Sequence, residues 1–224
     1  FHHGDLRRAL VRTALETITE HGVEAVTMRG LSERIGVSRT AAYRHFDNKR
    51  DLLFAVAEEG YRRIERINAE LLANAGSDAL ATLEAFGRAY MGFALEHPEL
   101  YRLMFGAEMV GEDRPESVVG VTDRAFGSLM DVFRTGQAQG SVRPGNVFSM
   151  AGAMWSLMHG LACLLMDGQL HSYARDHGAA HPSADGPPPP RDVAAQLLDT
   201  AVDILMTGVS SGPERLEQEP PERT

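Results

Sequence analysis

Apolar residues along this chain recur at spacings of three and four, and no β-branched run shows the alternation of a half-buried strand, so the pattern predicts helices nearly throughout. Leu6, Ala9, Leu10, Ala14, Leu15 and Ile18 form one stripe after Asp5, and His21-Gly22 supplies its stop, giving a first helix of about four to five turns. A short second helix opens at Thr27, whose hydroxyl can cap it, and runs through Leu31 and Ile35 to Gly36. After the turn Gly36-Val37-Ser38, Ser38 caps a third helix that carries Arg39, Thr40, Ala41, Ala42, Tyr43, Arg44 and His45 and ends near Phe46-Asp47. Asn48 then opens a long fourth helix through Leu52, Leu53, Ala55, Val56, Tyr61, Ile64, Ile67 and Leu71, with Gly60 as a weak point at its middle.

Further helices are expected at about 77–96, 99–109, 115–139, 147–168 and 192–207. Between the last two, residues 171–190 contain Gly178, Pro182, Gly186 and the run Pro187–Pro190, a composition that suits a mobile or polyproline connection. The expected fold is all-α: an N-terminal three-helix, helix-turn-helix domain over residues 1–48, then a larger helical bundle over 49–208, about nine helices in all. Residues 209–224 are polar and Pro-rich and read as a disordered tail.

Charge changes this picture by giving the two parts different characters. The net charge of −9 argues against whole-surface attraction to nucleic acid or anionic membrane, yet residues 1–50 hold nine Lys/Arg against six Asp/Glu. About +3 therefore sits at the N-terminal end and −12 on the remainder, so the first three helices offer the one plausible DNA face. They are also built for it. Ala41 and Ala42 allow close approach, Arg39, Thr40, Tyr43, Arg44 and His45 supply donors to bases or backbone, and Val26, Leu31, Ile35, Val37, Ala42 and Phe46 make a small core behind them.

Other chemistries find little support. Cys163 is the sole cysteine, which excludes an intrachain disulfide and fits a reducing, cytoplasmic setting, and Phe1–Leu15 lacks the apolar core of a signal peptide. Pro144–Met166 is uncharged and long enough to span a bilayer, but Gly145, Asn146, Ser149, Gly152, Ser156, His159 and Gly160 dilute it, and a helix buried on two faces explains it as well. Gly208-Val209-Ser210-Ser211-Gly212 matches a nucleophile-elbow string but follows a helix where a strand is required. His177 and His181, with His171 and Asp176, have metal-ligand spacing but flank Gly178 in a loop; no metal and no cofactor is expected.

Thr27-Met28-Arg29, Leu31, Ile35-Gly36-Val37-Ser38, Tyr43-Arg44-His45-Phe46, Asn48-Lys49 and Leu52-Leu53 together resemble the N-terminal domain of the tetracycline-repressor (TetR) family over residues 5–57. The opening Phe1-His2-His3-Gly4-Asp5-Leu6-Arg7 and the later Trp155…His159-Gly160 resemble a subgroup with a C-terminal Trp-x-x-x-His-Gly motif. The resemblance implies that Thr27, Tyr43, His45 and Lys49 contact phosphates, that Arg39, Thr40, Ala41 and Arg44 face bases, and that Ser38 opens the reading helix. It further implies a ligand-responsive repressor that binds a pseudopalindromic double-stranded operator as a homodimer through helices about 147–168 and 192–207. A small apolar effector would bind among Met91, Phe105, Met109, Phe126, Met130, Trp155 and His159 and release the DNA. Met and aromatic stripes at helical spacing are equally explained as core, and His159 as a satisfied core histidine. The competing function is a helical small-molecule-binding protein or enzyme that does not touch DNA.

Overall fold

The structure is a computed structural model that describes residues 3–111, 113–170, 172 and 190–210. The residue 171–190 connection, with His171, His177 and His181, lies outside the described residues but for Ser172 and Pro190, as does the tail beyond Ser210. Nine α-helices are named among the described residues: α1 (His3–His21), α2 (Met28–Ile35), α3 (Arg39–Tyr43), α4 (Lys49–Asn74), α5 (Ala79–Glu96), α6 (Pro98–Phe105), α7 (Glu116–Gln139), α8 (Val147–Met166) and α9 (Pro190–Val209). Single 3-10 turns cover Val23–Ala25 and Ala107–Met109. Extended pairing among the described residues amounts to one antiparallel bridge, Val142 with Ser210. The fold is all-α, as the 3.6-residue periodicity requires.

The chain divides into two compact units, residues 1–70 with 92–127, and residues 71–91 with 128–224. The predicted boundary after residue 48 falls inside the first unit. In that unit α1 buries Leu6, Ala9, Leu10, Ala14 and Ile18, and Thr17 satisfies its buried hydroxyl by donating to the Thr13 carbonyl one turn back (2.8 Å). Gly22, at φ 80°, then lets the chain reverse. Val26, Leu31, Ala42 and Phe46 form the small core expected under the turn, while Ile35 and Val37 are only half-buried. Polar links join α4 to the first half of α7: Ser117 Oγ donates to buried Glu58 (3.0 Å), Arg124 pairs with Glu65 (2.5 Å), and Asn68 donates to the Ala125 carbonyl (3.2 Å).

Two helices end earlier than the periodicity predicts. The third stops at Tyr43, because Arg44 and His45 form a turn that swings Phe46 into the core. The helix expected over 99–109 stops at Phe105, where Gly106 takes an extended conformation (ψ 171°) before the 3-10 turn. In the second unit Gly136 admits a close approach, since a Cβ there would meet Val142 Cγ2 at 2.4 Å and Ala79 Cβ at 3.0 Å. Arg143 N donates to the Val209 carbonyl (2.9 Å), tying the loop before α8 to the end of α9, and α8 packs on α9. The nucleophile-elbow string accordingly opens in the last turn of α9 and has no preceding strand.

Candidate nucleic-acid interface

The helix-turn-helix is fixed by local hydrogen bonds that the sequence specifies. Thr27 Oγ1 accepts from Gly30 N (3.0 Å), capping α2, and a side chain at position 30 would press on that hydroxyl because its Cβ would lie 3.0 Å from it. At the other end Gly36 adopts the left-handed conformation (φ 78°), and Gly36 N and Val37 N bond back to the Glu33 and Ser32 carbonyls (3.2 and 2.9 Å), a Schellman stop that sets the angle of the turn. Ser38 Oγ accepts from Ala41 N (3.1 Å) and so starts α3 at Arg39. Asn48 Oδ1 accepts from Asp51 N (3.0 Å) while its amide reaches the Asp51 carboxylate (3.1 Å), starting α4 beside Lys49.

Around this scaffold, buried Ala42 is the inward position of α3, which leaves Arg39, Thr40, Tyr43 and Arg44 exposed and Ala41, His45 and Lys49 half-buried. Thr27 and Ser38 are exposed, their oxygens engaged as caps. Tyr43, with 43% of its surface exposed, is a large aromatic on the outside where packing alone would bury it.

The ion pairs separate the cations into two classes. Arg29 pairs with Glu33 (2.7 Å), Arg34 with Glu20 and Glu16 (3.2 and 3.5 Å), and Arg12 with Glu16 (4.0 Å). Arg50 is held by Asp113, reaches the Val110 carbonyl (3.4 Å) and lies over the Phe54 ring. Arg39, Arg44 and Lys49 have no carboxylate partner among the described residues. The acidic chain thus keeps its positive charge uncompensated at the helix that the turn presents, which is the arrangement a phosphate backbone needs.

The residues expected at an effector site fall in both units. Phe105, Met109 and Phe126 belong to the first, where Phe105 packs against Tyr101 and edge-on to Tyr61 (ring centroids 4.7 and 5.7 Å apart). Met91, Met130, Trp155 and His159 belong to the second, with Met91 fully buried. There Trp155 Nε1 donates to Tyr90 Oη (3.0 Å), which lies 3.3 Å from His159 Nδ1, and His159 Nε2 lies 3.6 Å from Cys163 Sγ. Burial lowers the His159 pKa. Tyr90 and Cys163 are the members of this cluster that periodicity did not single out; the i, i+4, i+8 spacing of Trp155, His159 and Cys163 was the available signal. A cleft of about 320 Å³ in the first unit is lined by Leu15, Glu16, Thr19, Glu20, Arg63, His97 and Leu100, none of them among the seven expected effector residues.

Comparison with known proteins agrees with this geometry. Residues 10–56 match the model of bacterial regulatory proteins of the tetR family, and residues 83–181 match the tetracyclin repressor-like C-terminal domain. A helix-turn-helix-type transcriptional regulator of Mycobacterium tuberculosis is 24% identical over 139 residues, 60% of this chain. The chain spans only 58% of that curated relative's length. The nucleoid occlusion factor SlmA of a Marinomonas species is 30% identical over 145 residues, covering 62% of this chain and 71% of that protein. Among solved structures, a protein of unknown function from Rhodococcus sp. RHA1 superimposes with a TM-score of 0.75 at 29% identity, over 94% of this chain and 98% of its own. Both halves of the sequence, the capped turn with its uncompensated cations and the helical partner that follows, therefore have the same relatives, and the chain belongs to the tetR family of bacterial regulatory proteins.

Proposed function

We propose that this chain is a cytoplasmic transcriptional repressor that reads a pseudopalindromic operator as a homodimer and is released from it by a small apolar molecule. The observation that carries this reading is the set Arg39, Arg44 and Lys49, uncompensated on and beside a capped, exposed reading helix while the neighbouring arginines are paired. In this reading Arg39, Thr40, Ala41 and Arg44 face base edges, and Thr27, Tyr43, His45 and Lys49 hold phosphates, with residues 1–48 as the DNA-binding part and 49–208 as the part that binds effector and partner. The relatives are described as regulators, in keeping with a protein that binds DNA and is not an enzyme.

Dimerisation is supported by the apolar surface of the last two helices. Val147–Met166 is, among the described residues, the helix long and apolar enough to cross a membrane, and 28% of its most apolar window is buried within the chain. Phe148, Leu157 and Leu164 of α8 and Ile204 of α9 are exposed. A second copy of the same two helices covers such a surface and sets two reading helices about 34–36 Å apart. The helix lies inside the matched tetracyclin repressor-like domain, which favours a protein partner over lipid. For the effector, the Tyr90–Trp155–His159 cluster offers polar atoms within an otherwise apolar region, consistent with a ligand that is mainly apolar and anchored at one end.

The test is a fluorescence-anisotropy titration against a random-site duplex pool at two salt concentrations, with the double variant Tyr43→Ala/Lys49→Ala as control. Recovery of a palindrome that the control fails to bind supports the reading. A folded, dimeric protein that recovers no sequence overturns it in favour of a helical small-molecule-binding protein.

A further inference from the structure

We infer that Arg7 is a phosphate anchor, extending the DNA-contacting surface from α3 and the start of α4 onto the first turns of α1; this inference rests on the DNA-reading function proposed above. Arg7 is exposed, and its guanidinium carbon lies 5.0 Å from the centroid of the Phe46 ring. Phe46 is buried and follows the Arg44–His45 turn directly, so the Arg7 side chain is laid against the residue that anchors the end of the reading helix in the core. Its backbone is equally fixed, because Leu6, Ala9 and Leu10 around it are all buried.

Among the described residues no carboxylate takes up this charge. A surface arginine is ordinarily matched by a carboxylate one helical turn away, as Arg29 is by Glu33 and Arg12 by Glu16. The positions three and four residues from Arg7 are His3, Gly4, Leu10 and Val11, none acidic. The acids further along α1, Glu16 and Glu20, are committed to Arg12 and Arg34. Among the described residues Arg7 has no ion pair, and its guanidinium lies over a ring.

The contact with the ring leaves the hydrogen-bonding capacity of Arg7 available. A cation–π contact uses none of the guanidinium's N–H donors as hydrogen bonds to an acceptor, and those donors keep the fork geometry that suits phosphate. Arg7 is therefore held over the Phe46 ring and, like Arg39, Arg44 and Lys49 of the same unit, has no carboxylate partner among the described residues. One class of partner fits all four, a phosphodiester backbone. A role confined to bracing Phe46 leaves the charge unexplained, since an apolar side chain would cover the ring as well.

The salt dependence of binding separates the two roles. The probe is a fluorescein-labelled duplex recovered by the wild-type protein from a random-site pool, titrated at several salt concentrations with wild-type protein, Arg7→Gln, Arg7→Lys and Arg134→Gln. The last removes the same charge from an arginine already paired with Asp131 in the second unit. Each phosphate contact contributes a slope of about 0.9 in log K against log salt, so Arg7→Gln is expected to lower the slope by about 1.8 for a dimer. Its affinity deficit relative to wild type then shrinks about twelvefold between about 50 and about 200 mM salt. Arg7→Lys keeps the charge and the slope, and Arg134→Gln leaves the slope unchanged. A folded Arg7→Gln variant that binds more weakly with the wild-type slope overturns the inference and leaves a bracing role. An equal fall in Arg134→Gln also overturns it, because net charge alone then accounts for the effect. Absence of any duplex binding by the wild-type protein instead overturns the DNA-reading function, and the inference with it.

Discussion

Exchanging glycine for alanine at positions 60 and 127 makes one covalent change in two helix interiors, and the structure requires opposite signs. In α7 a Cβ at Gly127 meets nothing within 4 Å, so Gly127→Ala is expected to gain the propensity difference alone, about 0.5–1 kcal/mol. In α4 a Cβ at Gly60 would lie 2.4 Å from Met104 Sδ, 3.0 Å from Met104 Cγ and 3.3 Å from Leu100 Cδ1. Both neighbours are buried, and the backbone of Met104 is pinned, because Tyr61 Oη donates to its carbonyl at 2.5 Å. Burial, slightly offset by Arg114, pushes the Tyr61 pKa up to about 12, so that donor persists at any ordinary pH. Only the Met104 side chain can move aside, within a filled core, and overpacking of this kind costs about 1–3 kcal/mol. Against a propensity gain of about 1 kcal/mol, the net loss for Gly60→Ala is about 1 kcal/mol, or about 2–4 °C in Tm for a chain of this length. Thermal and urea unfolding followed by far-UV circular dichroism measure both variants against wild type at one protein concentration. If Gly60→Ala stabilises as much as Gly127→Ala, the close approach of α4 to α6 is refuted, and Gly60 is then no more than a poor helix former.

Three further outcomes are expected. Arg39→Ala should flatten base preference by about 1–3 kcal/mol at the position it reads while Lys49→Ala weakens all duplexes alike, which competition titrations against single-base operator variants resolve. Replacing Leu157 or Leu164 by Glu should place a charge on the proposed dimer face and shift sedimentation from dimer to monomer without loss of helix content; an unchanged dimer locates the interface elsewhere. Burial lowers the His159 pKa, so the folded state favours the neutral ring, and the stability owed to this group is complete above about pH 6.5 and falls as pH drops below it. The Tm advantage of wild type over His159→Asn should accordingly be larger at about pH 7.5 than at about pH 5.5, and a constant difference would show that the ring near Tyr90 and Cys163 does not change its charge preference on folding.

What could be read from sequence and what could not divides along the distance between interacting groups. Thr27, Ser38 and Asn48 announce helix starts because each cap bonds a backbone amide three residues away, and the structure shows all three bonds. Gly36 announces its turn for the same local reason. The early ends of α3 and α6 were not legible, since burying Phe46 and extending Gly106 answer to packing that periodicity does not contain. The link from Trp155 to Tyr90 joins residues 65 positions apart, so a Trp and a His on one helix face could be noticed while the hydroxyl between them could not. Charge shows the same limit more sharply. Counting gives about +3 for residues 1–50 but says nothing of which cations are spent, and Arg34 looks as available as Arg39 until Glu16 and Glu20 are seen beside it. The proposed reading face is thus defined by the cations of the first unit that have no carboxylate partner among the described residues, which only the tertiary structure reveals. An acidic protein can in this way keep a positive face for the proposed DNA contact, and Arg7, unremarkable in the sequence, becomes a candidate for that face only when its neighbours are known.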